Sequence, residues 1–179
     1  MNIATQKGER QVDLSWWLQR HGYSEHDLEL RLANGTTALM HAARHGASEI
    51  CEQLVARGAT LDARNADGNN ALWLACFAGD LATIDLLCRA GIDIDNQNEN
   101  GATCLMYAAS AGKDQVVARL LAHQANVTLR SLDDFTAIDM ASTIQILRLL
   151  REYAAKARAR ETSSADARTQ CVQAVEQES

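Results

Sequence analysis

The sequence predicts an all-α fold, an α-solenoid of short helix pairs stacked side by side, and three observations carry that reading. Among 179 residues there is no proline and only 4% aromatics while 47% are hydrophobic, so the core must come mainly from Leu, Ile, Val and Ala, which suit helices. Gly35, Gly68 and Gly101 stand 33 residues apart, and the same step reaches Asp134. A matching block follows each of them: TTALMHAA from Thr36, NNALWLAC from Asn69, ATCLMYAA from Ala102 and FTAIDMAS from Phe135. A unit this small cannot bury its own apolar faces, so its copies must serve as one another's core.

The elements follow in chain order. From Asp13, DLSWWLQRHG predicts a short helix ending near Gly22, and SEHDLELRLA a second, with Ser24 as N-cap and Asp27 as a capping-box-like partner. Residues 1–33 are thus an N-terminal segment and helical cap. Trp16 and Trp17, adjacent on a helix, diverge by roughly 100°, so both are not expected to be fully buried. About four repeats come next, at 34–66, 67–99, 100–132 and a shortened capping repeat at 133–152.

Each repeat opens on a turn dipeptide, Asn34-Gly35, Asp67-Gly68 or Asn100-Gly101, suited to backbone with positive φ. Thr37, Asn70, Thr103 and Thr136 are placed to cap the first helix of each unit. That helix offers Leu39, Leu72, Leu105 or Ile138 to the interior, then the small pairs Ala42-Ala43, Ala75-Cys76, Ala108-Ala109 and Ala141-Ser142 for close approach. Gly46, Gly79 and Gly112 end it in a left-handed conformation. Ile50/Leu54, Ile84/Leu87/Cys88 and Val117/Leu120/Leu121 mark the second helix. A further glycine recurs at Gly58 and Gly91, where the next unit has Gln124. The last unit lacks the inter-helix glycine, and residues 153–179 read as a helical extension to about Arg160 followed by a disordered tail.

The net charge of −6 argues against nucleic acid as a partner: residues 31–147 hold 13 acidic and 8 basic side chains, with no basic stripe on a helix face. Cys51, Cys76, Cys88, Cys104 and Cys171 are odd in number and form no C-x-x-C, so they read as reduced thiols, four of them in apolar patterns. The opening MNIATQKGERQVDLS lacks the apolar core of a signal peptide, and no run is long enough to span a bilayer. The expected location is cytoplasmic, with no membrane partner.

In GTTALMHAARHG, EICEQLVARGA and their copies the chain resembles the ankyrin repeat family, whose pattern is G-x-T-P-L-H-x-A-A-x-x-G, then E-I-V-x-x-L-L, then G-A. The match covers about two thirds of the chain. Ala38, Ala71, Cys104 and Ala137 replace the family proline, and Met40, Trp73, Met106 and Asp139 the family histidine. The resemblance implies protein binding through loop tips and inner helix faces. Carried over by position, the tips are Asn34 and Thr36; Arg64, Ala66, Asp67 and Asn69; Gln97, Glu99, Asn100 and Ala102; Arg130, Asp133 and Phe135. The helix-face positions are Arg44, His45, Phe77, Ala78, Ser110 and Ala111, with Phe77 an aromatic anchor on the implied concave face.

Chemistry is sparse by comparison. His41 and His45 have the i, i+4 spacing that can bind zinc, but the metalloprotease Glu is missing and no third ligand is evident in the sequence. His41 is therefore read as a partly buried structural histidine. Asp93 and Asp95 lack EF-hand spacing and read as solvated link residues. No G-x-x-x-x-G-K-[ST] or G-x-S-x-G occurs, so no catalytic residue, metal or cofactor is expected. Met40, Trp73 and Met106 occupy one slot in successive repeats and are assigned to packing between them.

The expected function is a monomeric, non-enzymatic protein-protein interaction module, an adaptor, scaffold or regulatory binding protein with an unidentified protein partner. The small size resembles the stand-alone ankyrin proteins of bacteria, and LDDFTAIDMA and DGNNALWLACF resemble ankyrin proteins encoded beside nitrogen-fixation genes, which implies an accessory or assembly role as the alternative. A metal-dependent enzyme is the remoter alternative. Self-association through a basic helix bearing Lys156, Arg158 and Arg160 is a third.

Overall fold

The computed structural model describes residues 13–159, so the expectations for the first twelve residues and for the tail beyond Ala159, Cys171 included, lie outside the described residues. Those described form helices and turns with no strand. The chain divides into two compact units, Met1–Cys104 and Leu105–Ser179.

In the first unit, α1 (Leu14–Arg20) is capped by Asp13, whose Oδ1 accepts the Ser15 amide at 2.9 Å. Leu14, Trp17 and Leu18 face inward while Trp16 is 59% exposed, the divergence that adjacent helical positions require. The helix expected from Ser24 does not form. Ser24 Oγ takes the His26 amide at 3.1 Å and Asp27 Oδ1 takes that of Glu29 at 3.0 Å, local bonds that offer the backbone an alternative to helix. The segment is instead tied down by its own side chains. Glu29 Oε1 accepts the Thr60 amide at 2.8 Å, and Arg31 Nη1 donates to the Arg64 carbonyl at 2.8 Å.

Two helix pairs follow, α2 (Ala38–Arg44) with α3 (Ser48–Ala56) and α4 (Ala71–Ala78) with α5 (Leu81–Ala90). α2 packs on α4 and α3 on α5, while each pair packs within itself. The approach of α2 to α4 is open to them because Ala42, Ala43, Ala75 and Cys76 are small and wholly buried. Leu39, Ile50, Leu54, Leu72, Ile84 and Leu87 fill the interior, each contributing about 1.5–3 kcal/mol by leaving water. Thr37 Oγ1 and Asn70 Oδ1 cap α2 and α4 by accepting the amides of Met40 and Trp73 at 3.4 and 3.0 Å. Met40 is buried and Trp73 half-buried; Cys88, expected in the core, is only half-buried.

In the second unit, α6 (Cys104–Ser110) and α7 (Asp114–Ala122) are followed by α8, helical over 144–159. Leu105, Met106, Val117, Leu120, Ile146 and Leu150 are among its buried residues. The helix expected after Thr136 is reduced to a single turn over 137–140. Thr136 and Asp139 do form a reciprocal capping box, the Asp139 amide reaching Thr136 Oγ1 at 3.3 Å and the Thr136 amide reaching Asp139 Oδ2 at 2.9 Å. Propagation then fails, because the Ser142 amide and hydroxyl both go to the Ala109 carbonyl, at 3.1 and 3.0 Å, instead of to the preceding turn. Gln124 and Asp134 adopt φ of 66° and 65°, so the left-handed backbone persists where the repeat lacks glycine.

Candidate functional site

The loop tips of the first unit are built by residues the sequence reading did not single out. Asn65 Oδ1 accepts the amides of Asp67 and Asn69 at 3.0 and 2.9 Å, and Asn98, 33 residues on, does the same for Asn100 and Ala102 at 3.0 Å each. Backbone bonds stitch one tip to the next, from the Ala66 amide to the Asn34 carbonyl at 2.9 Å and from the Glu99 amide to the Asp67 carbonyl at 3.0 Å. Asn34, Asp67, Glu99 and Asn100 are left with exposed side chains on rigid backbone. Arg64 is exposed as well, 3.7 Å from Asp93, a solvated pair worth at most about 1 kcal/mol.

Thr36 and Gln97 are half-buried, and Gln97 Nε2 is occupied by the Gly101 carbonyl at 2.6 Å. Asn69 requires a correction. It is 7% exposed, with its amide and carbonyl both bonded to Asn65, so it closes the turn instead of facing outward. Sequence register placed it at a tip, but could not show that the tip folds over it.

At the ends of the first helices, Arg44, His45 and Phe77 are exposed. α4 buries Ala71, Leu72, Leu74, Ala75 and Cys76, which holds the helix rigid, yet leaves Phe77 44% exposed. The Arg44 guanidinium carbon lies 5.1 Å from the Phe77 ring centroid, a cation–π arrangement. Beside them a ring cluster forms around His41. Its centroid is 4.8 Å from that of His21 and 4.9 Å from that of His45, with Trp17 at 5.5 Å and Tyr23 at 5.7 Å. The role expected for His41, partly buried and structural, matches its half-buried place in this cluster. His21 is the neighbour that sequence spacing did not connect, because it reaches His41 through the fold.

His21 Nδ1 donates to the Trp17 carbonyl at 2.8 Å, which fixes its tautomer, since a carbonyl only accepts. Tyr23 Oη lies 3.3 Å from His41 Nδ1, and burial pushes the phenol up to about 12. Burial, and then the cationic neighbours His21, His45 and Arg44, hold the His41 imidazole below its ordinary value. Among the described residues, no group of three or more His, Cys, Asp or Glu side chains is arranged to hold a metal ion. Burial pushes the Cys51 and Cys88 thiols up to about 12, leaving them almost wholly protonated and unreactive near neutrality.

In the second unit Ser110 is exposed, its hydroxyl donating to the Tyr107 carbonyl at 2.9 Å. Arg130 reaches the Asp134 carboxylate at 3.2 Å and donates to its carbonyl at 2.7 Å, beside exposed Asp133 and a 51% exposed Phe135. Leu132, 77% exposed, was missed, although repeat register held the signal: a large apolar residue stands where the earlier tips have Ala66 and Glu99.

A family model described as ankyrin repeats (3 copies) matches residues 1–98 and 78–161. The chain is an ankyrin repeat protein. Ankyrin repeats are in general protein-protein interaction modules and typically non-enzymatic, which fits a surface of rigid tips and exposed helix ends. No curated protein matches this ankyrin repeat chain. Among its described residues no helix is long and apolar enough to cross a membrane.

Proposed function

We propose that this ankyrin repeat protein is a cytoplasmic adaptor that holds one partner protein, acting as a monomer through repeats at 34–66, 67–99, 100–132 and 133–152. In the first unit the binding residues are Asn34, Thr36, Arg44, His45, Arg64, Asp67, Phe77, Gln97, Glu99 and Asn100. Ser110, Arg130, Asp133 and Phe135 are the corresponding set in the second unit.

The observation that carries this reading is Phe77, a 44% exposed aromatic on a helix that buries Ala71, Leu72, Leu74, Ala75 and Cys76, with an arginine laid over its ring. Exposed aromatics and arginines on rigid elements are the residue types that dominate interface energetics. Rigid tips lose little entropy on binding, and several repeats together present on the order of 800 Å² to a partner.

Affinity capture from native lysate tests the reading. The Phe77→Ala form should retain its partner at least about tenfold less well than the wild type while melting at nearly the same temperature. Undiminished capture by that form would remove Phe77 from the interface and the main support of the proposal with it.

A further inference from the structure

Arg44 lies over the Phe77 ring at the end of α2, next to the exposed His45. Neither α2 nor α4 contains an acidic residue, and among the described residues the charges that act on His41 are those of His21, His45 and Arg44. Carboxylates on the neighbouring elements have partners of their own, and Asp80 is the one that lies close to this face. Asp13 caps the opposite end of α1. Glu49 and Glu52 of α3 line a shallow groove with Leu86 and Arg89 of α5. Asp80, close to Gly46, caps α5 by accepting the Ala82 amide at 3.1 Å and the Thr83 hydroxyl at 2.6 Å. In a chain of net charge −6, Arg44 is the fixed positive charge of this face.

From this charge pattern we infer that the face formed by His21, His41, Arg44, His45 and Phe77 receives an acidic peptide segment of the partner, one that carries an aromatic or aliphatic side chain beside its carboxylates. Arg44 is the centre of the argument. It is exposed, its one described contact is with the Phe77 ring, and a guanidinium held over an aromatic face keeps its N–H edge free to fork onto a carboxylate. An apolar side chain next to that carboxylate then meets Phe77. Complementary charge also selects against basic partners, and the acidic remainder of the chain repels acidic segments that land elsewhere.

This inference rests on the adaptor reading and is tested separately from it. A random-sequence peptide library is panned against the immobilised full chain, and the enriched peptides are titrated against purified variants. They should be net acidic with at least one large apolar residue, and should lose affinity at least about tenfold on Arg44→Glu and less on Arg44→Gln. Both substitutions lie at an exposed position, and an unchanged melting temperature verifies the fold. Enriched peptides that are neutral or basic, acidic peptides indifferent to Arg44→Glu, or no enrichment on the wild type would each overturn the inference. So would binding of phosphatidylserine vesicles or RNA, and not peptides, with the same dependence on Arg44. Peptides that lose affinity on Phe77→Ala but ignore Arg44→Glu would sink the charge assignment and leave the adaptor reading standing.

Discussion

The Glu99 amide donates to the Asp67 carbonyl at 3.0 Å, joining two loop tips through their backbones. Gly68 makes this approach possible. Its φ is 77°, and a Cβ there would lie 2.8 Å from the Glu99 nitrogen. Gly68→Ala must therefore break the stitch as well as strain the backbone, and should destabilise the protein by roughly 3 kcal/mol or more. Gly91→Ala is the control. Its φ of 90° is as unfavourable for alanine, but nothing lies within 4 Å, so about 1–2 kcal/mol is expected. Urea unfolding of the two variants checks the difference, and equal losses would show that the close approach contributes nothing.

Gln124 occupies the slot of Gly58 and Gly91 yet keeps a left-handed φ of 66°. A side chain in that region costs about 1–2 kcal/mol, while glycine's greater freedom in the unfolded chain takes back about half. Gln124→Gly should stabilise the protein by about 0.5–1 kcal/mol, seen as a higher melting temperature. A lower one would mean that the backbone is relaxed there with glutamine present.

Ala47 and Asp80 precede equivalent helices, but only Asp80 caps its helix with a side chain. Their φ values of −83° and −82° are nearly the same and their ψ values are 68° and 98°, so an aspartate at Ala47 needs a modest turn in ψ to reach the capping geometry. Ala47→Asp should add about 0.5–2 kcal/mol, measured by chemical denaturation. No gain would show that the amides of the first turn of α3 are already well satisfied by solvent.

Acid should weaken the fold through His41. In the unfolded chain it titrates near 6.5; in the folded protein, burial and its cationic neighbours hold it lower. Between those two values the unfolded chain binds more protons, so stability falls as pH drops below about 6.5 and is unaffected by this group above it. Melting curves from about pH 8 to pH 5 should show a shallower acid loss for His41→Gln than for the wild type. Identical slopes would mean that the imidazole titrates alike in both states.

Much of the architecture was legible because its signals are local and repeated. Glycines at a 33-residue step, short caps before apolar blocks and small pairs within them specify helix ends and faces without reference to the rest of the molecule. The exposure of Phe77 was readable from its position in the register of the ankyrin family that the sequence resembles. Less followed for the tips, whose order depends on the side chains of Asn65 and Asn98 bending back onto their own turns.

By itself, the sequence determined a repeating all-α array and the slots at which side chains recur. Only the tertiary structure decided that Asn69 is enclosed, that His21 meets His41, and that residues 24–32 and 137–140 do not become full helices. The reason is where polar groups find partners. Helical propensity is a weak sum over neighbours in the chain, and bonds supplied by Thr60 to Glu29, by Arg31 to Arg64 and by Ser142 to Ala109 join residues some thirty positions apart, beyond the reach of any local pattern.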